Sequence, residues 1–164
     1  ITKVYFPKEA IPLSIVGASL VDLGIGLATV AVLVPLQGIA LSWTIVLAVL
    51  PLLLLILWAA ALSILAGVVA AFVRDVPHLV QLFIRVGFFA TPVMYDAESL
   101  PSALRWTAVV SPVAVSIEGF RDAVLRGNVP DLALTGVHLA IAAVLLVLAV
   151  LYTRSVESRL VDVV

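Results

Sequence analysis

The sequence predicts an all-α membrane protein with about four bilayer-crossing helices and an amphipathic, re-entrant or interfacial helical segment on the outer side. Three observations lead there. Of the 164 residues, 64% are hydrophobic and 12% are charged, whereas a soluble domain carries roughly a quarter charged residues. That apolar excess, with a mean hydropathy of +1.30, is too large to hide in one core of this size, because small domains leave much of their surface exposed. The apolar residues also fall in long runs, and a helix needs about 20 of them to cross the hydrocarbon core.

The first run extends from Ile11 to Val34 and ends at the breaker Pro35-Leu36-Gln37-Gly38. The second, from Trp43 to Val73, stops at Arg74-Asp75. It is longer than a crossing needs, so tilt, protrusion or a kink at Pro51 is expected. The third, from Val76 to Tyr95, is the least apolar, and the fourth, from Leu132 to Tyr152, is almost pure Ala, Val, Leu and Ile. Between the last two, residues 96–131 are too broken to span. Ser111-Pro112 there reads as a helix start, with Pro at the first helical position, and Gly127 reads as its stop. Glu118, Asp122 and Arg126 recur at four-residue spacing on one face, with Ile117, Phe120 and Val124 on another. Such a helix lies in the interface or dips partway into the membrane.

Lys and Arg positions set the orientation. Lys3, Lys8, Arg74, Arg154 and Arg159 fall on one side, predicted to be cytoplasmic, and both ends of the chain lie there. The other side holds Arg105, Arg121 and Arg126 beside five acids: Asp96, Glu98, Glu118, Asp122 and Asp131. Trp43, Tyr95, Trp106 and Tyr152 sit near the membrane edges, as an aromatic belt does.

Several function classes are excluded. No cysteine is present, which removes disulfides and thiol chemistry. His78 and His138 have no partner at metal-ligand spacing, so no metal or cofactor is expected. No basic block is available for nucleic acid. The phosphate-cradling G-x-x-x-x-G-K-[ST] loop, H-E-x-x-H and G-x-S-x-G are all missing, so the chain does not read as an enzyme. It starts at Ile1 without a leader-like segment, and it reads as a piece of a longer protein.

Two sets of polar residues inside the membrane runs stand out, because a charge at that depth costs a few kcal/mol unless it faces protein or water. Asp22 lies mid-run, with Ser14, Ala18 and Gly26 forming a small-residue stripe at four-residue steps that permits close helix approach. Helix packing is favoured there over a proton relay. In the third run His78, Gln81, Arg85 and Pro92 share one helical face. A hydrated or subunit-facing surface is favoured over snorkelling of Arg85, and Asp22 is one candidate partner for it. Trp58, Phe83, Phe88 and Phe89 lie deeper, where core packing is the default and sugar stacking the sharper alternative.

Three stretches resemble a known family. They are Lys3-Val4-Tyr5-Phe6-Pro7-Lys8-Glu9-Ala10-Ile11-Pro12-Leu13 with Leu20-Val21-Asp22, then Arg74-Asp75-Val76-Pro77-His78-Leu79-Val80-Gln81 continuing into Gly87-Phe88-Phe89-Ala90-Thr91-Pro92-Val93-Met94-Tyr95, and Ser111-Pro112 through Glu118-Gly119-Phe120-Arg121. With the ending Val156-Glu157 to Asp162-Val163-Val164, the chain resembles the C-terminal part of an ABC-2 type permease. Within that family it is similar to the exporters of polysaccharide, O-antigen and polyol phosphate.

The resemblance implies six membrane helices per subunit, of which this chain supplies the third to sixth. It implies a homodimer, two copies of a separate ATP-binding subunit as partner, and a bacterial-type inner membrane as location. Residues 1–10 then form a cytoplasmic coupling segment, with Tyr5, Phe6, Pro7, Lys8 and Glu9 receiving motion from the ATPase. Residues 96–131 form an external gate, with Pro112, Glu118, Phe120 and Arg121 as its candidates. Asp22, Gln81, Arg85, Phe88, Phe89 and Pro92 are candidates for the pathway or for helix packing. The expected cargo is a polysaccharide, lipid-linked or not, or a polyol phosphate. Two departures are visible: Ser111-Pro112 replaces a common Asn-Pro, and Arg85 stands where an uncharged residue is common. An arginine in a pathway favours anionic cargo such as phosphate. The rival readings are a drug or small-molecule efflux permease of the same architecture, a proton-driven carrier using Asp22, His78 and Arg85, and a non-transporting scaffold.

Overall fold

A computed structural model describes residues 10–40, 42–91, 93 and 105–161. Helix α1 spans Ala10–Leu36, and a 3-10 segment, Trp43–Ala48, runs directly into α2, Val49–Phe72. Helix α3 is Val76–Ala90, α4 is Arg105–Val110 and α5 is Pro112–Arg121. A π turn, Asp122–Arg126, follows α5, and α6 is Leu132–Val161. No strand occurs among the described residues. The all-α expectation therefore holds.

Three helical stretches are long and apolar enough to cross a membrane: Leu13–Leu36, Trp43–Ala70 and Leu132–Ser155. The expected third run is shorter. α3 has 15 residues, about 22 Å at 1.5 Å per residue, against a hydrocarbon core of about 30 Å. Its end is local chemistry. Thr91 precedes Pro92, whose ring pushes the preceding residue out of the helical region, and Thr91 takes an extended conformation at φ −93° and ψ 139°.

The polar groups inside these helices are mostly handled within the chain. Ser19 and Thr29 donate to the carbonyls of Ile15 and Ile25, four residues back, and Thr153 donates to Ala149 in the same way. Hydrocarbon offers no other partner for such hydroxyls. Pro51 falls in the first turn of α2, where its missing N–H would have no intrahelical acceptor.

The starts of α2 and α6 lie at the same end. Pro51 and Pro130 both flank Gly119, while Leu54, Ala142 and Val115 share one buried cluster with Leu57, Trp58, Leu134 and Leu139 around it. α2 and α6 therefore run parallel and form the most extensive helix contact. α5 runs against them, from Val115 beside Leu54 and Ala142 back to Gly119 beside Pro51. A second cluster at that end joins Val34 of α1, Ala48, Ala123 and Val124, with Val30, Ile39 and Phe120 packed on it. Ala60, Ala61, Ile64 and Ala149 are buried as well, while many of the large apolar side chains point outward. Only 6% of the apolar stretch of α1 is buried, against 28% for the 3-10 segment with α2, so α1 depends most on an apolar surrounding.

Candidate functional site

The segment from α4 to the π turn is built around the corner Ser111-Pro112. Ser111 is extended, and its hydroxyl accepts from the Ala114 N–H at 3.3 Å, an N-cap before a proline at the first helical position. Ala114 and Val115 are buried, and Val115 packs beside Ala142. Ala142 is ten residues into α6, so the corner is sunk about 15 Å along the bundle. The result is a V of two short helices inserted beside α2 and α6.

A chain reversal at that depth leaves carbonyls without helical partners, and such groups are costly in an apolar setting. Within α5 the Ser116 hydroxyl donates to the Pro112 carbonyl, four residues back, at 2.8 Å. His138 Nε2 lies 2.9 Å from the Val109 carbonyl. A carbonyl can only accept, so Nε2 is the protonated nitrogen. His138, 7% exposed, thus pins the end of α4 to α6. The sequence marks it only as a single imidazole within an apolar run.

Past Gly119 the segment meets α2 and the 3-10 segment. A Cβ on Gly119 would lie 3.4 Å from Pro51 Cβ and 3.6 Å from Pro130 Cβ, ordinary van der Waals contact, so the site has room for a methyl group and for little more. Buried Thr44 donates to the Ala123 carbonyl at 2.7 Å, inside the irregular hydrogen bonding of the π turn. The segment ends at Gly127 with φ +66°, the left-handed stop that its position predicts.

The four-residue acid and base spacing becomes a network. Arg126 Nη1 donates to Glu118 Oε2 and Asp122 Oδ1, both at 2.9 Å, and Arg121 Nη1 donates to Glu118 Oε1 at 3.1 Å. The hydrogen bonds to Asp122, and then to Glu118, raise the Arg126 pKa beyond its ordinary value. Arg121 Nη2 also donates to the Val93 carbonyl at 2.6 Å. That bond ties the residues just past α3 to α5, satisfying a carbonyl released by the helix stop. Phe120 and Arg121 also line a cavity of about 480 Å³ between α1, α2 and α5, whose walls are otherwise mainly leucine, valine and proline.

The other predicted residues are placed differently. Asp22, Gln81 and Arg85 are exposed, and Asp22 and Arg85 form no ion pair with each other among the described residues. Ser14, Ala18 and Gly26 are exposed too, so the small-residue stripe packs against no described helix. Trp58 joins the α2–α6 core, but Phe83, Phe88 and Phe89 do not, being 73%, 46% and 77% exposed. Core packing within this chain thus describes Trp58 alone. The α3 surface on α2 is narrow and goes to valine and glycine instead. Phe88 and Phe89 meet edge to face at 5.5 Å. Tyr5, Phe6, Pro7, Lys8, Glu9 and Pro92 lie outside the described residues, as do residues 96–104.

Comparison with known proteins places this arrangement. The family model described as ABC-2 type transporter matches residues 2–125. The chain belongs to that family. It is 27% identical over 161 residues to the O-antigen export system permease protein RfbA of Myxococcus xanthus, covering 97% of this chain and 61% of that protein. A protein of the same name from Klebsiella pneumoniae is 27% identical over 132 residues, covering 78% of this chain and 50% of that relative. The chain thus spans between half and two thirds of the length of these ABC-2 relatives. The match takes in α1, α2, α3, α4 and α5, including the sunken corner and most of the π turn. As a member of a transporter family with three membrane-length apolar helices, it is a membrane protein.

Proposed function

We propose that this chain is part of the permease subunit of an ATP-driven exporter that carries a saccharide polymer out of the cytoplasm. The observation that carries the reading is the family match over residues 2–125, with relatives named as O-antigen export permeases along most of the chain. The subunit works as a homodimer in the inner membrane, with two copies of a separate ATP-binding subunit supplying hydrolysis. Both ends of the chain are cytoplasmic, with Arg74 and Arg154 on the cytoplasmic side. The opposite end, with Glu118, Asp122 and Asp131, then faces outward.

Residues 1–10, through Tyr5, Phe6, Pro7, Lys8 and Glu9, receive motion from the ATPase. Residues 96–131 act as the external gate, in which Pro112 sets the corner, Phe120 packs it and Glu118 with Arg121 latches it to Val93. ATP binding biases the helices between inward- and outward-open arrangements, which requires contacts that differ between the two states. The Arg121 bond to Val93 is one contact that such a change can break.

The test is reconstitution of the full-length protein with its ATPase in vesicles carrying lipid-linked polysaccharide. ATP-dependent movement of the polymer is expected, and Pro7→Glu abolishes both movement and transport-linked ATP turnover while membrane insertion survives. Movement that persists without an ATPase and follows a pH gradient would overturn the reading.

A further inference from the structure

Helix α3 presents a charged face away from the rest of the chain. Among its described residues only Val76, Val80 and Gly87 are partly buried. At about 100° per residue these three fall within some 40° of one another, on the side toward α2. His78, Arg85 and Phe89 centre on the opposite direction, with Gln81 and Phe88 beside them. Arg85 therefore points straight away from α2. It sits about 15 Å from the Arg74-Asp75 corner along the helix axis, and no described residue pairs with it. No carboxylate occurs in 76–93 at all.

A guanidinium so placed does not belong against lipid, where its cost is a few kcal/mol. The length of α3 points the same way. The helix stops at Ala90 and gives way to extended backbone at Thr91, and irregular backbone at membrane depth is tolerated only in protein or beside water. A carboxylate-free face with an arginine, an imidazole, an amide and two phenyl rings is chemically suited to a sugar polymer bearing negative groups. The guanidinium fork matches phosphate or carboxylate, and the rings offer apolar faces to sugar.

We infer that the Arg85 face of α3 borders the hydrated export path and selects cargo that carries phosphate or carboxylate groups. The inference rests on the permease reading and adds its substrate class, with Arg85 as the specificity-determining residue. It predicts a positive potential in a wet site, and a preference for anionic over neutral polymer.

Both parts are measurable on the full-length protein in complex with its ATPase. This chain has no cysteine, so Gln81→Cys, made with any cysteine elsewhere removed, places one thiol a helical turn from Arg85. A sulfonate-bearing methanethiosulfonate should label it faster than a trimethylammonium analogue, and Arg85→Gln should cut that rate ratio about fivefold or more, as loss of a nearby unscreened charge requires. No labelling by either reagent, or a ratio indifferent to Arg85→Gln, would overturn the inference. The second result would mean that an acid, such as Asp22 of another copy, already neutralises Arg85.

Export is then compared for a phosphate-bearing and a neutral glycan of matched length. Arg85→Gln should lower export of the first about tenfold, as expected for a lost hydrogen bond to a charged group, and leave the second within about twofold. Arg85→Lys should retain more of the anionic export than Arg85→Gln. Equal loss of both glycans would reduce Arg85 to a structural residue and sink the inference while leaving the permease reading intact. Wild-type protein that moves neither glycan with ATP would instead fail the permease reading, even with the labelling ratio as predicted.

Discussion

Around α5, the described acids are engaged: Glu118 and Asp122 hold arginines, and Asp131 caps α6 through the Leu134 N–H at 2.9 Å. Deep in α1 and α3, Asp22 and Arg85 face outward and have no such partner in the described chain. The contrast separates two uses of charge. The first group holds one part of the chain to another, and its partners are supplied by the same segment. The second has no task among the described residues, so its task concerns what lies next to it: cargo, water, lipid or another polypeptide.

That contrast can be broken by mutation. The largest effect is expected where α5 meets α2. Gly119→Leu would drive a side chain into Pro51 and Pro130, and overpacking of this kind costs about 2–3 kcal/mol. Denaturation of the full-length protein in lipid nanodiscs should show it, with proteolysis of the α4–α5 segment rising in parallel. Unchanged stability would mean that the segment is not seated as described. A smaller loss, about 1–2 kcal/mol, is expected for Thr44→Val, which keeps the shape but removes the donor to the buried Ala123 carbonyl. Amide exchange within the π turn is the sharper readout there, because the loss is local. Asp22→Asn should change stability least, by under about 0.5 kcal/mol in the same denaturation assay. A larger loss would show that Asp22 has a partner outside the described residues and would redraw the contrast.

Much of this architecture is legible from local sequence. The apolar runs mark α1, α2 and α6 because their composition makes water a poor solvent over a membrane-long stretch. Ser111-Pro112 and Gly127 mark the ends of the α5 segment because capping and left-handed stops depend on a few adjacent residues. The acid and base spacing of Glu118, Asp122 and Arg126 likewise predicts one face, and the ion pairs form on it. The length of α3 was less legible. Its apolar pattern continues past Ala90, while the backbone obeys Pro92.

Other features are absent from any local pattern. Arg121 reaches Val93 across 28 residues, His138 reaches Val109 across 29, and Thr44 reaches Ala123 across 79. No spacing rule anticipates these bonds, because each donor serves a carbonyl exposed by a break elsewhere in the chain. Residue types and their order determined that this protein lives in a membrane, where its helices start and stop, and which charges it carries there. Tertiary structure alone decided how deep the Ser111-Pro112 corner sits and which way Arg85 points. Depth and direction are properties of helices packed on one another, and they arise only when distant segments compete for the same surface.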